Sequence, residues 1–121
     1  MPPAFLTSQP DANSLRVSLQ SGACNAESIC EELLTEVATR DPQLQAFAWL
    51  EPEHIRQQAQ QLDAQFARSG PVGPAHGLPL ALKDIIDTAG IPTENGTELE
   101  VGRIQTSQEA VVELWLADGG L

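Results

Sequence analysis

One lysine stands in the whole chain, Lys83. It closes the apolar run Leu78-Pro79-Leu80-Ala81-Leu82 and is followed by Asp84, Ile85, Ile86 and Asp87. An ammonium drawn into a low-dielectric setting loses solvation, which favours the neutral amine and makes a proton acceptor available near neutral pH. The competing reading is a strand-end lysine paired with Asp84 or Asp87 at the surface. Spacing alone leaves both open. His76, in the turn Gly73-Pro74-Ala75-His76-Gly77, could act as a general acid, and His54 is expected to be solvated in the first turn of a Gln-rich helix. Asp84 and Asp87 could in principle hold a metal, yet no His or third carboxylate converges on them in sequence. Cys24 and Cys30 sit six apart, which fits neither a zinc spacing nor a disulfide framework, so both read as small hydrophobes. The glycines from 70 to 77 are not followed by Gly-Lys-Ser/Thr and so do not form a phosphate loop.

The elements that must position these residues follow from periodicity and punctuation. Asp11 to Ser14 offer caps for a short helix with Leu15 and Leu19 on one face, ended by Gly22. Asn25 caps a second helix over 26–40, whose apolar set is Ile29, Leu33 and Val37 with Cys30 and Leu34 alongside. Asp41-Pro42 is expected to stop it, because proline disfavours helical geometry in the residue before it. Gln45 to Leu50 reads as a strand. Pro52 suits the first turn of a third helix, which runs to about Ser69 with Ile55, Ala59, Leu62 and Phe66 buried and Gly70 as its stop. Glycine and proline then concentrate, interrupted by Leu78 to Leu82, a run short enough to be a buried strand. Thr106-Ser107-Gln108-Glu109 reads as a capping box opening a last helix with Ala110, Leu114, Val111 and Trp115 in register, closed by Asp118-Gly119-Gly120. Strand, helix, strand, loop and helix together predict an α/β layer rather than a helical bundle.

Composition bounds the function classes. Seventeen Asp and Glu against six Lys and Arg leave a formal charge of −11, which argues against nucleic-acid binding and against adhesion to anionic lipid. No apolar stretch approaches the ~20 residues that a spanning helix needs. The N-terminus has neither a basic start nor a long apolar core, so it is not read as a secretory signal, and the cytoplasm is the expected compartment.

The stretch from Gly73 to Thr93, with Gly77-Leu78-Pro79-Leu80-Ala81-Leu82-Lys83-Asp84 at its centre, resembles the first characteristic block of the amidase signature family of hydrolases. The Glu-rich helix, the segment Asp41-Pro42-Gln43-Leu44-Gln45-Ala46-Phe47, the Gln/Ala helix and the helix following Thr106 are similar to the family's N-terminal region. The resemblance therefore runs from about Ser14 onward.

That resemblance implies an α/β fold in which this chain is the N-terminal fragment of the family's mixed sheet flanked by helices. Residues 1–13 would be a flexible start and 14–121 a partial amidase domain. It implies hydrolysis of a carboxylic amide to an acid plus ammonia or an amine, using a serine nucleophile, a second serine in a cis peptide, and a lysine, with no metal or organic cofactor. The lysine carries over to Lys83, which would accept a proton from the nucleophile through the cis serine and later help protonate the leaving amine. Asp84 is expected as an orienting partner of Lys83 or a turn cap, and Thr97, with Thr93, as lining the approach to the site or belonging to a plain turn. His76 becomes a structural loop residue.

The family's two serines lie in a Gly/Ser-rich segment that this sequence lacks. The seven serines at 8, 14, 18, 21, 28, 69 and 107 all stand outside a glycine-rich nucleophile loop. The expectation is a piece truncated before that segment, marginally folded and inactive alone. The alternatives are an acidic helical interaction module, or one component of a split or tRNA-dependent amidotransferase. The residues around His76-Gly77 and Asp87-Thr88-Ala89-Gly90 lean towards a general amidase acting on a small-molecule amide. Which amide, and the oligomeric state, are not legible.

Overall fold

A computed structural model describes residues 11–121. Residues 1–10, the greater part of the expected flexible start, lie outside the described residues. Helix α1 spans Ala12–Ser21: Asp11 accepts from the Ser14 N–H at 2.7 Å, and Gly22, at φ 77°, closes the helix in the left-handed conformation that glycine adopts without cost. Both signals were legible in the sequence.

Helix α2, Ala26–Leu44, opens as expected at Asn25, whose side chain accepts from the Ser28 N–H at 2.9 Å. It does not stop at Asp41-Pro42. Pro42 lies inside its last turn, and the helix ends at Gln45, which takes φ 52°. The proline forfeits one backbone donor close to a terminus. That loss is offset where the Gln45 N–H reaches the Asp41 carbonyl at 2.7 Å and the Ala46 N–H reaches the Asp41 carboxylate at 2.7 Å. The strand expected over 45–50 is absent as well. Residues 45–48 are exposed with no neighbouring strand, so the β-propensity of Phe47 and Trp49 has no ladder to join. Trp49 instead meets the His54 ring edge-on, with centroids 5.9 Å apart.

Helix α3, Pro52–Ser69, starts on its proline and ends at Gly70. It runs antiparallel to α2. Ala59, with no exposed surface, packs against Ala26, Cys30 and Leu34, while Ile55, Leu62 and Leu50 flank that cluster. Near the outer rim, Arg56 grips both Glu31 oxygens at 2.5 and 3.2 Å. Asp63, late in α3, accepts from the Ala26 N–H at 2.8 Å and the Glu27 N–H at 3.0 Å, so a neighbouring helix satisfies two of the orphan donors that open α2. Asp63→Ala is expected to cost about 1–2 kcal/mol. Asp63→Asn, with one amide oxygen in place of two carboxylate oxygens, should recover part of it. Urea unfolding checks both, and an unchanged midpoint in the alanine variant would remove the interhelical cap from the account.

A second cluster joins α1, α2 and the chain that follows α3: Leu19, Ile29, Ala75 and Leu78, bordered by Leu15, Cys24, Leu33 and Trp115. The returning chain is stitched to residues 73–80 by backbone bonds from Ala75 N–H to Asp118 O (3.0 Å) and Gly77 N–H to Gly119 O (2.8 Å). Gly119 takes φ 88°, and a Cβ there would lie 2.9 Å from that of Val72, so this close approach needs glycine.

Helix α4 begins later than expected, at Ala110, and ends at Ala117. Thr106 does not cap it. Gln105 is held by a bond from Gly90 N–H to its carbonyl at 3.0 Å, residues 106 and 107 bend, and the Glu109 N–H is fixed on the Asp87 carbonyl at 2.9 Å. Its inward residues are Val112 and the half-buried Trp115, whereas Val111 and Leu114 are exposed.

Among the described residues the fold is helical, and the expected α/β sheet is not formed. Leu78 to Leu82 is extended without being a strand, and the one bridge is Pro92 with Ile104, antiparallel. Strand character is a property of pairs, and only Leu121 stands alongside that run. No helix among the described residues is long and apolar enough to cross a membrane.

Candidate active site

Lys83 sits where the extended run turns. Its carbonyl accepts from the Ile85 N–H at 2.8 Å and the Ile86 N–H at 3.1 Å, which fixes the backbone in a tight turn. Its side chain is exposed, with no hydrogen bond or ion pair among the described residues. The desolvated amine considered from the sequence is therefore not produced by these residues, and neither is the surface ion pair with Asp84 or Asp87.

Asp84 is occupied elsewhere. Its carboxylate accepts from the Glu94 N–H at 3.0 Å and its carbonyl from the Asn95 N–H at 2.9 Å, so it clamps the Lys83 turn to the loop ten residues on. Of its two expected roles, this geometry is that of a loop cap. Thr97 belongs to the same loop: its N–H reaches the Glu94 carbonyl at 3.1 Å, and its hydroxyl accepts from the Leu99 N–H at 3.3 Å, opening a 3₁₀ turn over Glu98–Glu100. The structure thus links Asp84 and Thr97 through Glu94, with no bond from either to the lysine amine.

A second clamp was not legible in the sequence. Arg103 binds both Asp87 oxygens at 2.7 and 3.1 Å and donates to the Thr93 carbonyl at 3.2 Å. The Thr93 N–H returns to the Arg103 carbonyl at 3.0 Å, and Thr93 itself is buried. The guanidinium holds the Asp87 carboxyl below its ordinary range, and Asp87 in turn holds Arg103 above its own. Sixteen residues separate the partners, so no local spacing rule could pair them. Together the clamps hold the chain from Asp84 to Glu109 as one braced loop, with Lys83 at its entrance.

His76 is structural. Its ring is 1% exposed, its Nδ1 accepts from the Val72 N–H at 3.1 Å, and it leans on Phe66 with centroids 5.5 Å apart. Burial pushes its pKa down, against a weaker upward pull from Asp63. His54 is half-buried against Trp49 rather than freely solvated. Cys24 and Cys30 border the two core clusters, and burial raises both thiols, as suits small hydrophobes. A shallow cleft of about 210 Å³ is walled by Leu19, Cys24, Asp63, Phe66 and His76; neither Lys83, Asp84 nor Thr97 lines it.

One ionisable group stands out away from the lysine. Both carboxylate oxygens of Glu32 on α2 are buried without a hydrogen-bond partner, and loss of solvation raises its pKa. An unfolded Glu ionises near pH 4.3 and the folded one later. Stability from this group is therefore complete below about pH 4 and is lost as pH rises through the folded pKa. Glu32→Gln should raise the urea midpoint at pH 7, by about 0.5–1 kcal/mol after discounting for a residue only half-buried. The gain should vanish near pH 4, and an equal gain at both pH values would contradict the reading.

The family model described as Amidase matches residues 28–121, more than half of the chain and all of the braced loop. A glutamyl-tRNA(Gln) amidotransferase component, the A chain of that enzyme from Chloroflexus aggregans, is 30% identical over 107 residues, covering 88% of this chain and 22% of that protein. Native peptide amidase from Stenotrophomonas maltophilia superposes with a TM-score of 0.80 at 27% identity, over 96% of this chain and 24% of its own. A fatty acid amide hydrolase superposes at 0.91 with 19% identity over 99% of this chain and 21% of its own, a likeness of fold alone. The chain thus spans about a quarter or less of the relatives it matches. The match over residues 28–121 and the residues around Lys83 place this chain in the Amidase family, the amidase signature enzymes.

Proposed function

We propose that this chain is the lysine-bearing portion of an amide hydrolase and that Lys83 is its proton carrier. A serine hydroxyl adds to the amide carbonyl and passes its proton through a second, cis serine to the Lys83 amine. The tetrahedral intermediate collapses as that proton goes to the departing nitrogen, releasing ammonia or an amine. Water then enters by the reverse relay and frees the acid. The observation that carries this reading is the Amidase match spanning the Gly77–Asp84 block that contains the only lysine. The turn at Lys83 supports it, because a fixed backbone with a free amine leaves the base available to a nucleophile brought to it.

The 121 residues hold no serine in a glycine-rich loop, so the purified chain should show no amide turnover. Each missing oxyanion donor alone would cost about 10²–10³ in rate. Two assays test the proposal: turnover by the chain alone, and turnover by a chimera in which residues 28–121 replace the matching segment of the Stenotrophomonas maltophilia peptide amidase. Activity of the isolated chain would remove the need for the serine pair, and an inactive but folded chimera would remove Lys83 as a competent base.

A second reading is favoured by the curated relatives, which are named as components of glutamyl-tRNA(Gln) amidotransferase. In it the same relay releases ammonia from an amide for transfer within a complex. A portion of charge −11 is poorly suited to hold tRNA phosphates itself, so nucleic acid would be bound elsewhere in that assembly.

A further inference from the structure

The extended run that ends at Lys83 is paired on one edge and open on the other. Leu121 donates its N–H to the Leu78 carbonyl at 2.8 Å, and its own carbonyl accepts from the Leu80 N–H at 2.9 Å. One residue bonded to both neighbours of another is the parallel-strand pattern, here centred on Pro79. Backbone groups alternate sides along an extended chain, so those of Leu78, Leu80 and Leu82 point towards Leu121. Those of Pro79 and Ala81, with the Lys83 N–H, point the opposite way. Among the described residues the N–H groups of Ala81, Leu82 and Lys83 have no acceptor. Leu78 is anchored in the core at 8% exposed, whereas Leu80 and Leu82, on the same face, are 41% and 36% exposed. Open donors beside an uncovered apolar face form a template for an added strand.

Charge decides which chain this edge suits. A second copy would bring two polypeptides of charge −11 together, with the exposed Glu109, Glu113 and Asp118 at and along α4 adding to the repulsion. We propose that the Pro79–Lys83 edge receives a β-strand from the complementary, neutral or basic portion of an amidase, which carries the hydroxyl nucleophile, and that this pairing sets Lys83 against it. The proposal rests on the reading of Lys83 given above. It adds a surface, an edge and a polarity of partner.

The test co-expresses the full 121-residue chain with the Stenotrophomonas maltophilia peptide amidase lacking the segment this chain matches. That segment, expressed as its own piece, is the positive control. Co-purification with slowed hydrogen exchange at Ala81 and Lys83 supports docking. Ala81→Pro removes one edge donor at an exposed position, so it should abolish co-purification while leaving the circular dichroism of the chain unchanged. Docking with amide turnover supports both proposals, whereas docking without turnover keeps the surface and sinks the base role of Lys83. The docking proposal is overturned if the control pair assembles and this chain does not, if Ala81→Pro assembles as well as the parent, or if the chain alone dimerises with the same amides protected.

Discussion

Replacing Lys83 with methionine in the chimera should lower kcat by about 10³-fold and change KM by less than about threefold, since a general base acts in the transition state and adds little to ground-state binding. Methionine keeps an unbranched apolar side chain and removes only the amine. Because Lys83 is exposed and its side chain is unbonded among the described residues, the substitution should leave urea unfolding within about 0.5 kcal/mol. The pairing of a large kinetic loss with an unmoved stability is what distinguishes a chemical role from a structural one. Asp84→Ala offers the contrast: it cuts the bond to the Glu94 N–H, so it should loosen the loop and lower stability and turnover together. Full turnover in the methionine variant would end the assignment of Lys83.

Ile29→Ala should lower the unfolding free energy by about 3 kcal/mol, the range for deleting most of a buried aliphatic side chain. Ile29 is 1% exposed and shares its cluster with Leu19, Ala75 and Leu78, so the cavity would open where α1, α2 and the Lys83-bearing run meet. A chain of this length buries a modest fraction of its surface, and 3 kcal/mol is a large share of the ~5–15 kcal/mol typical of whole domains. Hydrogen exchange should quicken in both α1 and residues 75–80, because the cluster is their common anchor. Leu99→Ala is the control, since Leu99 is 94% exposed and should change the midpoint by less than about 0.5 kcal/mol. Similar losses in the two variants would mean that the burial pattern is wrong.

How much was legible follows the range of each interaction. The starts and stops of α1 and α3, the start of α2 and the inward faces of α2 and α3 were all readable, because caps, stop glycines and four-residue periodicity act within one or two turns. The end of α2 was misread because a proline near a C-terminus costs one donor, and Asp41 supplied the compensation. The opening of α4 was misread for a longer-range reason: Gly90 and Asp87 claim Gln105 and Glu109 from outside the helix, leaving Thr106 no cap to make.

By itself the sequence determined the helical frame, the acidic charge, the family and the residue worth testing, since a single lysine in a Gly-x-Pro-x-x-x-Lys-Asp block is a local pattern. Tertiary structure decided what surrounds that residue. It spent Asp84 on Glu94, joined Asp87 to Arg103, buried His76 against Phe66, and left the Lys83 amine in solvent with one strand edge open. Caps and periodicity are fixed by neighbours along the chain, whereas ion pairs, sheet ladders and desolvation depend on which distant segments arrive beside them.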